Sequence, residues 1–89
     1  MAYMFGRATV EDYPTFCDAF DDAAEMRNAA GSTDDTVYQS ADNPNDVTVQ
    51  VEFQSIDAAK TYALSSGLRE AMKRAGVQGP PTIWFVNET

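Results

Sequence analysis

The sequence contains no histidine and a single cysteine, Cys17, in 89 residues. Without histidine the chain lacks the commonest transition-metal ligand and the usual general base near neutral pH. A haem held through a proximal histidine is excluded for the same reason. One cysteine can form no intrachain disulfide. The acidic loops show no twelve-residue calcium pattern. Neither metal nor cofactor is therefore expected.

Basic residues are also scarce, with six Lys and Arg against fourteen Asp and Glu and a formal charge of −8. Nucleic-acid binding needs cations that neutralise phosphates, and anionic membrane surfaces make the same demand, so neither partner is expected. No apolar run approaches the length of a membrane span. The opening segment MAYMFGRATV has neither the basic region nor the cleavage site of a signal peptide, and a cytoplasmic location is the expectation.

What the chain does have is 44% hydrophobic residues, including five Phe, four Tyr and one Trp. That is an ordinary supply for a globular core, and the length allows one domain over residues 1–89. A domain this small buries a modest share of its surface and commonly adds a disulfide, a metal or oligomerisation. With the first two routes closed, oligomerisation is left.

Hydrophobic periodicity orders the elements. Residues 2–8 alternate as a strand, with Tyr3, Phe5 and Arg7 on one face and Met4 on the other. Thr9 is then placed to cap a helix in which Tyr13, Phe16, Cys17, Phe20 and Ala24 form one apolar stripe, and Gly31 ends it. Residues 35–41 and 47–53 read as a hairpin around the turn formers of 42–46, Val47, Val49, Val51 and Phe53 marking the buried face. Ser55 caps a second helical region, which Ser65-Ser66-Gly67 interrupts and Gly76 ends. Gly79-Pro80-Pro81 then leads the chain, extended, into a last strand at 82–88.

The order strand, helix, strand, strand, helix, strand is the split βαβ pattern. It specifies an α+β, ferredoxin-like βαββαβ fold: a four-stranded antiparallel sheet with both helical segments on one face. Ile83 and Phe85 lie on one side of the last strand and Trp84 and Val86 on the other, while Tyr3 and Phe5 oppose Met4. Large apolar groups on both faces need cover on both. Helices supply one cover and a second copy of the chain would supply the other, so a homodimer is expected.

The segments VEDYPTFCDAFD, AAGSTDDTVYQSADNPNDVTVQVEF and SIDAAKTYALSSGLREAMKRAGVQGPPTIWF span nearly the whole chain. In their order and spacing they resemble the dimeric α/β-barrel superfamily of antibiotic-biosynthesis-monooxygenase-like and cyclase-like domains. The resemblance implies two subunits joining their sheets into a barrel. It also implies a small-molecule pocket and a cofactor-free oxygenase-like or cyclase-like activity, among many members of unassigned function.

Four residues stand out as ligand-binding candidates for a small apolar or aromatic molecule in a pocket between sheet and helices. Trp84 could line it, or anchor a core or interface. Arg7, late in the first strand, could meet a ligand carboxylate or an acid of the chain, or reach water. Tyr38 and Gln50, on adjacent hairpin strands, could supply hydrogen bonds in a cavity or face solvent. Cys17, with acidic neighbours, reads as a small core residue. No nucleophile–base pair can be proposed. The alternative to a ligand pocket is a non-catalytic dimeric binding or assembly domain, its interior filled by Trp84 and its neighbours.

Overall fold

Ala2, Met4 and Val10 point to the same side of the first strand, and all three are buried in the computed structural model, which describes residues 1–89. That strand, β1 (Ala2–Val10), runs two residues beyond its expected end. Thr9 stays in the sheet opposite Asp46 and Gln78 and caps nothing. Val10 extends the strand because its N–H donates to the Asn45 carbonyl at 2.8 Å and its side chain fills the core. The cap of helix α1 (Tyr13–Asp22) is Asp12, whose carboxylate accepts from the Thr15 N–H at 3.0 Å and the Thr15 hydroxyl at 2.6 Å.

The first helical segment breaks at Ala23 into α1 and α2 (Ala24–Ala29), a division the periodicity does not signal. Gly31, at φ 99°, ends α2 in the left-handed region as expected. The chain enters β2 (Ser32–Gln39) directly afterwards, three residues earlier than expected, because Ser32 already pairs with Phe53. The hairpin returns as β3 (Asp46–Phe53). Ser55 and Ser65 cap α3 (Ile56–Ala63) and α4 (Ser66–Arg74), accepting from the Ala58 and Leu68 N–H groups at 3.1 and 3.2 Å.

The last strand, β4 (Val77–Asn87), starts five residues before its expected beginning and carries both prolines inside it. It tolerates them because it is an edge strand and because the ladder is interrupted there. Pairing passes from Arg7–Thr82 to Thr9–Gln78, so residues 79–81 bulge opposite Ala8 and no proline has to donate to β1.

The four strands form one antiparallel sheet in the order β2-β3-β1-β4. Four short helices, two for each expected segment, pack on one face. One core cluster gathers Met4, Val51, Phe53, Ala59 and Tyr62, and a second gathers Val10, Phe16, Val47 and Ala75. Ile83 and Phe85 face the first cluster, while Trp84 and Val86 stand exposed on the opposite face. Phe53, with 0% exposure, sits where β3 meets α3 and packs against the Tyr62 ring at 5.6 Å between centroids. Replacing it (Phe53→Ala) is expected to cost about 3–5 kcal/mol, measured by urea unfolding followed by circular dichroism.

Candidate functional site

Small side chains leave a gap where the sheet meets the helices. Gly6 and Ala8 of β1 form its floor beside Val49, and Ala19, Ala23 and Ala71 form part of its roof. The resulting cavity has a volume of about 80 Å³, and 16 of its 19 lining residues are hydrophobic. The remaining three are Gly6, Pro81 and Arg27, so the lining contains one charged side chain.

Arg27 is brought inside by the break at Ala23. It lies four residues after Ala23 and seven after Phe20, on the apolar stripe of the helical segment, and only 3% of it is exposed. The break frees the Phe20 carbonyl, which accepts from Arg27 Nη1 at 2.7 Å. The guanidinium carbon stands 3.6 Å above the centroid of the Phe20 ring, a cation–π contact. Its carboxylate partner is Asp35 on the edge strand β2, with Oδ2 at 3.4 Å from Nε. Nε itself is buried and makes no hydrogen bond.

Tyr62, on α3, is the other polar group at the cavity. Burial pushes its phenol above the ordinary range, and the neighbouring Arg27 guanidinium opposes that shift. Tyr62 also forms a wall of a second, more open groove of about 400 Å³ between α2 and the α3–α4 pair, lined by Met26, Ala30, Ala58 and Gly67 among others. Met26 closes that groove against α4: a Cβ on Gly67 would lie 2.6 Å from the Met26 sulfur. Glycine at 67 is what lets the flexible Met26 side chain occupy that position.

None of the four residues singled out in the sequence lines the cavity. All four lie on the opposite sheet face, because strand alternation places them with Tyr3 and Phe5 and not with Met4. Arg7 there forms a two-point ion pair with Asp46, Nε to Oδ1 at 3.0 Å and Nη2 to Oδ2 at 2.6 Å, with its side chain 61% exposed. The Tyr38 hydroxyl donates to Gln50 Oε1 at 3.0 Å. Trp84, 40% exposed, stacks on Phe5 with centroids 5.5 Å apart and planes 10° from parallel. Beside them the Tyr3 hydroxyl donates to Glu52 at 2.9 Å and Glu88 at 3.1 Å, and the bond to Glu52 is the main reason its pKa is pushed up to about 12. Tyr38 and Gln50 thus meet each other, Trp84 meets Phe5, and Arg7 meets an acid of its own chain.

Arg27 and Tyr62 are the cavity residues that sequence analysis passed over. Tyr62 reads there as a packing residue, which it also is. The signal for Arg27 was a cation standing on the apolar stripe of its helix, where a solvated charge does not belong.

No group of three or more His, Cys, Asp or Glu side chains converges as a metal site. No helix is long and apolar enough to cross a membrane.

No family model matches the sequence, and no curated protein matches it. Solved structures do match in three dimensions. A Bordetella bronchiseptica protein named for the antibiotic biosynthesis monooxygenases superposes with a TM-score of 0.85 at 16% identity, over 99% of this chain and 96% of that one. The fold is shared. SnoaB, a cofactor-independent oxygenase from Streptomyces nogalater, superposes at 0.74 with 16% identity, covering 99% and 94%. A conserved protein from Methanosarcina mazei gives 0.76 at 17% identity, covering 99% and 92%. The expected ferredoxin-like architecture is therefore that of monooxygenase-like structures.

The carboxylates outside the cavity set the acid response. Hydrogen bonds from Arg7 hold Asp46 below the usual carboxylate range, Thr33 and then Tyr3 do so for Glu52, and Thr15 does so for Asp12. A depressed folded-state pKa contributes stability above the unfolded value of about 4 and loses it as pH falls through the folded value. The urea midpoint is expected to fall between about pH 5 and pH 3, and Asp46→Asn should flatten part of that fall.

Proposed function

We propose that the protein is a homodimer whose subunits each hold a small apolar or aromatic ligand between sheet and helices, with a cofactor-free oxygenase-like or cyclase-like activity. The observation that carries this reading is the apolar cavity with a single interior cation, in a fold shared with a cofactor-independent oxygenase. Apolar enclosure with a few placed polar groups is the usual form of a small-molecule site. The cavity alone, at about 80 Å³, is smaller than such sites, and the groove of about 400 Å³ shares the Tyr62 wall with it.

The dimer follows from the outer sheet face. Phe5, Trp84 and Val86 form an apolar strip there, flanked by Tyr3 and by the paired groups Arg7–Asp46 and Tyr38–Gln50. An aromatic centre inside a hydrogen-bonded rim matches the anatomy of a protein interface. The four candidates from the sequence belong to that surface on this account, and a ligand reaches Arg27 from the other side of the sheet. A non-catalytic dimeric binding or assembly domain is the second reading, favoured by the small cavity volume.

Two measurements test the proposal. Light scattering on a size-exclusion column should give about twice the 9.7 kDa chain mass at micromolar concentration, and Trp84→Arg should give the single-chain mass. Oxygen uptake with a panel of hydroquinones and naphthols should appear in the native protein and vanish in Ala71→Phe, which fills the cavity roof and leaves the dimer intact. Native uptake no faster than the protein-free rate would favour the non-catalytic reading.

A further inference from the structure

Taking a guanidinium out of water carries a penalty of several kcal/mol unless its donors are satisfied. Arg27 is buried to 3% exposure and is only partly satisfied. Of the five N–H donors of an arginine, one here makes a hydrogen bond, Nη1 to the Phe20 carbonyl. Nε is buried with no hydrogen bond, and the Asp35 carboxylate 3.4 Å away has a side chain 36% exposed to competing water. A methionine or leucine would pack against Phe20 without that cost. Holding the helix break together therefore does not account for a charge at this position.

We propose that Arg27 is an anion-recognition residue and that the cavity takes a small apolar molecule bearing one carboxylate, an inference that rests on the proposed ligand site. The planar guanidinium fork matches a carboxylate in two-point geometry. A ligand carboxylate would share the guanidinium with the part-exposed Asp35, and a phosphate dianion would add a further uncompensated charge to an apolar enclosure. Tyr62 lines the same cavity and carries the one other polar side-chain group there. The remaining walls, Val49, Val51, Leu68, Ala71 and Ile83 among them, offer only hydrocarbon, so the body of the ligand is apolar. The cavity volume is about half that of a cavity that binds benzene, which limits the part held within it to a short or branched acid. The net charge of −8 works against any anion, so a preference for the acid would report the local guanidinium and not the overall field.

The test compares isobutyrate with its neutral isostere isobutyramide and with benzene, read by methyl NMR at Val51, Leu68 and Ile83. Isobutyrate should bind about tenfold or more tightly than the amide, the scale of one charge-assisted hydrogen bond. Arg27→Gln should make acid and amide equal, Arg27→Lys should keep part of the preference, and Arg74→Gln, exposed on α4 and outside the cavity lining, should change nothing. If benzene or the amide shifts those methyls and the acid binds no better, Arg27 recognition is wrong while the ligand cavity stands. If none of the three probes shifts them, the cavity and Arg27 recognition fail together. A preference that survives in Arg27→Gln also overturns the assignment. The native-protein comparison decides the matter even if a variant does not fold.

Discussion

A four-stranded sheet that carries large side chains on both faces needs two covers, and the helices of this chain make one. Met4, Val51 and Phe53 go under the helices, while Tyr3, Phe5, Trp84 and Val86 go to the other side by the two-residue period of the same strands. The period allows no compromise, because shifting a strand by one residue would exchange its whole buried set for its exposed one. Most of the architecture follows from this division. It sends Arg7, Tyr38, Gln50 and Trp84 to the outer face, and it leaves the cavity on the helical side to apolar side chains, one tyrosine and one arginine.

That arginine connects local backbone structure to the chemistry of the cavity. Had the first helical segment run unbroken, the Phe20 carbonyl would have been engaged in the helix. The break at Ala23 releases it, and Arg27 turns inward to meet it and the Phe20 ring. In a chain with fourteen acidic residues, the acids line the surface and the hairpin turn while a cation occupies the interior. The charge distribution is thus opposite in sign inside and out.

The fold was largely legible in the sequence, and the candidate site was not. Alternation in VTVQVEF, the cap at Ser55 and the interruption at Ser65-Ser66-Gly67 are local signals, and the structure follows them. The missed boundaries have tertiary causes. Val10 continues β1 because the sheet and core hold it there, and Pro80 and Pro81 sit inside β4 because a bulge on an edge strand removes the need for their N–H groups. The break at Ala23 has no glycine or proline to announce it. The site was misplaced for a related reason. Arg7, Tyr38, Gln50 and Trp84 were chosen by chemical type, whereas what decides a lining residue is the face it occupies. Arg27 carried its signal in position, a charge among Phe16, Phe20 and Ala23, and Tyr62 carried none beyond its packing side.

The central claim is that the outer face of the sheet is covered in the working protein, leaving the helical face to enclose the ligand. Trp84, the only tryptophan and 40% exposed in a single chain, reports on that face directly. Acrylamide quenching of its fluorescence at micromolar protein concentration is the most direct measurement. The account predicts strong protection from the quencher, as for an indole buried in an interface. Quenching as free as that of an exposed indole in water would contradict it.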